Sequence, residues 1–181
     1  MSELFREYKF ENYQVRKADS KDTKAVIQLL RDTARWLQAK GVSQWEYLLE
    51  GGETEEIEQD ILAGATYIVE NSEGDLAATF NLSSKQNDWD RHMWGIMDDF
   101  AYYLHRLAVA KDQHHKQVGK QLLEWIDGNI QMQNGYVRLD CVADNLVLDY
   151  YYQQAGYTFI GYVGDGEDKF SIYEKAFKGN P

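Results

Sequence analysis

The sequence predicts an α/β fold, a mixed β-sheet layered against helices. Three observations predict it. Seven short segments carry strand patterns and four longer ones carry helical spacing, interleaved as β-α-α-β-β-β-α-β-α-β-β. Hydrophobic residues make up 44% of a 181-residue chain, which is enough for a sizeable core and sets it apart from disordered sequences. No repeat, low-complexity tract or linker interrupts it, so residues 1–181 read as a single domain.

The elements follow in order. Tyr13–Lys17 alternates and reads as the first strand. Asp19 or Ser20 can cap a helix from about Lys21 to Lys40, where Val26, Leu29, Leu30, Thr33 and Leu37 recur at helical spacing and Gly41 stops it. Trp36 extends that stripe and reads as core. Thr54 can cap a second helix over 55–63, with Glu55, Glu56 and Glu58 at its positive end and Gly64 closing it. Thr66–Glu70 and Leu76–Leu82 read as a hairpin around Asn71-Ser72-Glu73-Gly74-Asp75.

Residues 84–99 are polar and rich in tryptophan, and read as a loop or a short helix. A strand over 102–109 and a helix over 116–132 follow. Trp125 reads as a packing residue of that helix. Val137, Leu139 and Cys141 alternate with Arg138 and Asp140, which predicts a strand. Asn145–Gln154 reads as a helix closed by Gly156, and Tyr157–Val163 and Phe170–Phe177 as the last two strands. The only proline is Pro181, so Gly, Asn and Asp must make the turns.

Composition excludes several classes. The formal charge is −11, which argues against general nucleic-acid binding, since that needs a basic face. No apolar run approaches the roughly 18 residues of a membrane span, and residues 1–7 lack a signal-peptide core, so no membrane partner is expected. The single cysteine, Cys141, cannot form an internal disulfide or a cysteine-based zinc site. A reducing cytoplasm fits. Cys141, on a core strand, is expected to be an inert thiol. Acidity is compatible with a cationic substrate.

One stretch departs from this balance. Residues 106–120 hold Arg106, Lys111, Lys116 and Lys120 against Asp112 alone, with His114 and His115 beside them. They lie where a strand turns into a helix. Free backbone N–H groups and the positive end of a helix favour a small anion such as a phosphate there.

Three segments in order carry a resemblance that spans about residues 13–177. Leu104-His105-Arg106-Leu107-Ala108-Val109 resembles the fourth strand of the GNAT superfamily of N-acetyltransferases. His114-His115-Lys116-Gln117-Val118-Gly119 resembles that family's R/Q-x-x-G-x-G/A loop. Asn145-Leu146-Val147-Leu148-Asp149-Tyr150-Tyr151-Tyr152-Gln153-Gln154-Ala155-Gly156-Tyr157 resembles its N-x-x-A-x-x-F-Y-x-x-x-G-F pattern. The resemblance implies a mixed, mostly antiparallel central sheet flanked by helices, with acetyl-CoA as cosubstrate and no metal.

By that resemblance Leu107, Ala108 and Val109 would pair with the pantetheine arm. His114, His115, Lys116, Gln117, Val118, Gly119 and Lys120 would cradle the pyrophosphate. The loop's leading Arg or Gln is replaced by His114 and its first glycine by Gln117. A glycine lets backbone approach a phosphate without a side-chain clash, so Gln117 is expected to adopt an ordinary helical conformation and point away. Asn145 would bond the pantetheine amides, cap its helix, or do both.

Acetyl transfer to an amine sets chemical demands. An amine of pKa about 10.4 is neutral in only about one molecule in a thousand at pH 7, a cost of roughly 4–5 kcal/mol unless a base helps. The oxyanion needs a donor, and the thiolate benefits from a proton. Tyr152 fills the family's tyrosine position and would serve the sulfur; the alternative is a packed aromatic among Tyr150, Tyr151 and Tyr152. His105 is the candidate base, in an arrangement resembling the arylalkylamine acetyltransferases, and its ordinary pKa near 6.5 suits the task. A satisfied sheet histidine is the alternative. Strand alternation puts His105, Leu107 and Val109 on one face.

Trp45, Trp94, Asp98 and Tyr103 are candidates for holding the acceptor, through aromatic walls and attraction of a cationic amine. Tyr103 stands where that subgroup has a second histidine. Asp98 and Asp99 are alternative proton acceptors. The expected partner is an amine, a small molecule more than a protein N-terminus or lysine, and a homodimer is compatible with the chain. The rival from another class is a domain that binds CoA without catalysis, which the altered glycine loop keeps open.

Overall fold

The computed structural model describes residues 3–42 and 45–179, with the side chain of His115 outside the described set. The strands are β1 (Lys9–Phe10), β2 (Tyr13–Lys17), β3 (Thr66–Glu70), β4 (Leu76–Ser83), β5 (Ala101–Val109), β6 (Asn134–Val142), β7 (Thr158–Val163) and β8 (Phe170–Lys178). The helices are α1 (Thr23–Ala39), α2 (Glu46–Leu49), α3 (Thr54–Leu62), α4 (Asp88–Trp94), α5 (Val118–Asn129) and α6 (Leu146–Gln154). The strand order is β1-β2-β3-β4-β5-β6-β8-β7. Neighbours are antiparallel at β1–β2, β2–β3, β3–β4, β6–β8 and β7–β8, and parallel at β5–β6. This is the mixed, mostly antiparallel sheet that the sequence predicts.

The residues group into two compact units. One runs to Asn81 and includes Arg106–Gln131; the other is Leu82–His105 with Met132 onward. In the first, Asp19 and Asp22 form a capping box at a 3-10 turn over Ser20–Asp22, and α1 then starts at Thr23. Its stripe Val26, Leu29, Leu30 and Ala34 is buried with Ile57 and Ile61 of α3, Ile68 of β3 and Ala108 of β5. Burial of this kind is the main favourable term in folding. Phe5 and Phe10 pack on Trp125 of α5, at 4.5 and 5.9 Å between ring centres, which is the structural role expected for that tryptophan.

In the second unit, β6 and β8 pair over nine residues, Asn134–Val142 against Phe170–Lys178. Leu139, Cys141, Ile172, Tyr173, Tyr157 and Tyr152 are buried there. The Asn145 side chain accepts from Leu148 N–H (3.2 Å), so the predicted cap at α6 is present, and Gly156 ends the helix at φ 93°. The parallel register of β5 with β6 is short, Ala101–Tyr103 against Tyr136–Arg138.

Several local expectations are corrected. Thr54 does not cap α3: it is the first helical residue, its hydroxyl donates to the Gly51 carbonyl, and the capping position falls to Glu53 at φ 63°. Trp36 is only half-buried, with its ring against His114 (4.6 Å between centres) and Lys40 (4.7 Å). Arg106 has φ 50°, a left-handed residue that breaks the two-residue alternation in the middle of β5. The shared face of His105, Leu107 and Val109 rested on that alternation and does not follow. Arg138, read as the polar partner of an alternating strand, is buried to 2% exposure.

Candidate active site

In the first unit the chain leaves β5 at Val109 and makes a 3-10 turn over Lys111–Lys116 before α5. Three residues pin this loop. Gln113 is buried and accepts a hydrogen bond from Tyr13 Oη (2.8 Å). His114 Nε2 lies 2.8 Å from the Val109 carbonyl, which makes it the donor. Val118 is fully buried at the first turn of α5.

Lys111, Lys116, Gln117 and Lys120 are exposed. No side chain caps α5, and the first N–H groups of any helix lack partners inside it. Exposed cations beside an uncapped helix start suit an anion.

Gln117 corrects the sequence reading. It sits at φ 56°, ψ 32°, in the left-handed region, not in an ordinary helical conformation. The chain thus keeps a backbone shape that glycine adopts freely, at a cost on the order of 1 kcal/mol for a side-chain-bearing residue. Gly119 has room to spare, since a Cβ there would meet only Val109 Cγ2 at 3.5 Å. The basic cluster is also smaller than the sequence suggests. Arg106 turns to α3, with Nη1 2.8 Å from Asp60 and Nη2 2.8 Å from Glu53, so its charge is already matched. His115, also expected at the pyrophosphate, has its side chain outside the described set.

In the second unit, α4 begins with a capping box in which Asn87 and Asp90 each accept from the other's backbone N–H. Asp90 is 1% exposed. Its second carboxylate oxygen lies 2.7 Å from His105 Nε2. Asp140 of β6 accepts from Trp89 Nε1 (3.2 Å). Burial pushes the Asp140 carboxyl above the usual carboxylate range, opposed by the positive potential of His105 and the Trp89 hydrogen bond. His105 therefore stands among two carboxylates that sequence reasoning did not single out.

The two acids it did propose lie differently. Asp98 is exposed. Asp99 forms a bidentate pair with Arg138, at 2.7 and 2.6 Å, and the guanidinium holds its carboxyl below the usual range. Arg138 also donates to Glu174 (3.0 Å) and to Tyr103 Oη (3.2 Å). Its guanidinium lies 5.1 Å from the Trp94 ring centre and 4.7 Å from that of Tyr136. The structure thus brings Trp94 and Tyr103 together, as an acceptor site would need, but around the protein's own cation. Trp45 is partly buried against the α1–α3 core, at φ 65°; Ser43 and Gln44 before it lie outside the described residues.

Tyr152 is buried among the rings of Tyr151, Tyr157 and Tyr173. Burial holds its hydroxyl firmly protonated. Cys141 is buried and its thiol is pushed up to about 12, mainly by desolvation, so it stays an inert thiol near neutral pH.

The sheet order is that of a mixed, mostly antiparallel α/β fold. A model of the Acetyltransferase (GNAT) family matches residues 24–157. The chain belongs to that family and is an N-acetyltransferase. It is 35% identical over 158 residues, 85% of this chain and 84% of the other, to an uncharacterized N-acetyltransferase, YesJ, of Bacillus subtilis (strain 168). A GNAT-family acetyltransferase structure from Listeria monocytogenes 4b F2365 matches with TM-score 0.66 and 29% identity, over 91% of this chain and 95% of that one. Another from Streptococcus agalactiae 2603 matches with TM-score 0.76 and 19% identity, over 93% and 97%, a likeness of fold.

Proposed function

We propose that this N-acetyltransferase moves the acetyl group of acetyl-CoA directly onto the primary amine of a small molecule in the cytoplasm, with His105 as base and Tyr152 as the proton source for the leaving thiolate. The observation that carries the reading is the His105–Asp90 contact at 2.7 Å. A histidine on a carboxylate is a competent acceptor for the proton of an incoming ammonium.

Each part of the chain has a task in this reading. Val118, Gly119 and Lys120 supply backbone N–H groups to the pyrophosphate, and Lys116, Lys120 and His114 supply charge or polarity beside it. Leu107, Ala108 and Val109 offer backbone to the pantetheine arm, and Asn145 offers its amide nitrogen, since its oxygen is taken by the helix cap. The acceptor's N–C bond forms as the thioester C–S bond breaks. Of the two protons the nitrogen loses, one leaves through His105 to solvent; Tyr152 gives its own proton to sulfur, and the second proton from nitrogen returns to the Tyr152 oxygen, leaving free thiol and a neutral tyrosine. Cys141, held at about 12, is not an acyl carrier, which supports direct transfer.

The test is thiol release from acetyl-CoA against a panel of small primary amines and N-terminal or lysine peptides, with products identified by mass. Saturable release that needs a small amine supports the reading. Modification of peptides alone would move the acceptor to protein, and tight CoA binding without turnover on any acceptor would contradict it.

A further inference from the structure

Resting on the assignment of His105 as base, we propose that Asp90 is its positioning residue: it fixes the ring and its tautomer. Asp90 is 1% exposed and reaches His105 from a helix whose start it helps to build. One oxygen accepts the Asn87 N–H (3.1 Å) and the other faces His105 Nε2 (2.7 Å). A carboxylate held by its own helix cap cannot swing away without breaking that cap. Because an ionised carboxylate only accepts, the proton of neutral His105 sits on Nε2 and the basic lone pair on Nδ1.

The surrounding charges agree with this role. Asp90 comes from α4 and Asp140 from β6; the latter is tied to Trp89 and has its carboxyl held above the usual range. Tyr103, on the same strand as His105, gives its hydroxyl oxygen to Arg138, whose charge is matched by Asp99 and Glu174. His92, also on α4, has its ring 6.1 Å from that of Trp89 between centres. Asp90 is in direct contact with the imidazole, and it favours the protonated ring that forms once a proton is taken. Asp140 adds a negative potential in the same direction while it is ionised.

The experiment is nitrogen NMR of the full chain labelled in its histidine rings, with the His105 signals found by their loss in His105→Gln. The wild-type spectrum at high pH should show the Nε2–H tautomer. In Asp90→Asn the His105 midpoint should fall by about one pH unit, the acid limb of kcat/KM should move the same way, and kcat should fall about tenfold. Asp90→Glu should restore part of both. Asn87→Ala weakens the helix cap but keeps the carboxylate, and should lower stability without moving the midpoint.

An Nδ1–H tautomer in the wild type, which needs no variant, overturns the proposal. So does an unmoved midpoint in folded Asp90→Asn while His105→Gln is inactive, which leaves the base assignment standing. Full activity in His105→Gln overturns the base assignment itself, and this role with it.

Discussion

His105 and His114 present the same ring to different oxygens. One places Nε2 2.7 Å from the Asp90 carboxylate and the other 2.8 Å from the Val109 carbonyl. The distances hardly differ; the charge of the partner does. A carbonyl fixes a tautomer and holds a loop. A carboxylate also stabilises the imidazolium, so the ring can take a proton and keep it briefly. In the function proposed above, His114 braces the loop before α5 and His105 acts as the base, and substitutions can separate the two.

The largest expected effect is on His105. His105→Gln should lower kcat by about 10²- to 10³-fold, within the range for loss of a positioned base. His114→Gln should instead raise the KM for acetyl-CoA, by about three- to tenfold, and leave the pH profile where it was. Steady-state kinetics over pH 5.5–9.5 would check both; equal losses of kcat would erase the distinction.

Next in size is the other proton in the reaction. Tyr152→Phe should lower kcat about tenfold, with acetyl-CoA affinity by calorimetry held within about threefold. Unchanged turnover would leave Tyr152 as a packed ring.

A smaller effect tests the charges around His105. The Asp140 carboxyl is raised in the folded state, so the native protein binds more protons than the unfolded chain above the ordinary carboxylate pKa of about 4. Stability from this group is therefore greatest at low pH and falls as pH rises toward the raised value. Asp140→Asn keeps an acceptor for Trp89 and should show no gain near pH 4 but a gain in stability at pH 7.5 in urea unfolding. A pH-independent difference would contradict that sign.

The smallest concerns the loop that His114 braces. Gln117→Gly removes a side chain from a left-handed position and should raise stability by about 0.5 kcal/mol, with acetyl-CoA bound two- to threefold more tightly.

The fold was largely legible because its signals are local. The apolar run Thr66–Glu70, the Asn71 turn and the Asn145 cap each depend on residues a few positions apart, and each is found where expected. β1 was not legible, since two residues, Lys9–Phe10, owe their strand to pairing with β2. The site divides the same way. The loop at 111–120 reads from its charges, but the matching of Arg106 by Glu53 and Asp60 joins residues some fifty positions apart. Asp90 could have been found in part. Asn87 and Asp90 have the spacing of a capping box, which would have turned a polar loop into a helix. That its other oxygen meets His105 is a tertiary fact with no local sign. Arg138 misled for a related reason: alternation predicts a polar face, whereas Arg138 is buried and its charge is paired with the more exposed Asp99 and Glu174.

The most direct measurement is the pH dependence of kcat/KM for an accepted small amine, in the wild type and in His105→Gln under saturating acetyl-CoA. The expected result is an acid limb in the wild type that disappears in the variant, together with a loss of about a hundredfold at neutral pH. Superimposable profiles of similar height would show that the imidazole on Asp90 takes no part in moving the proton.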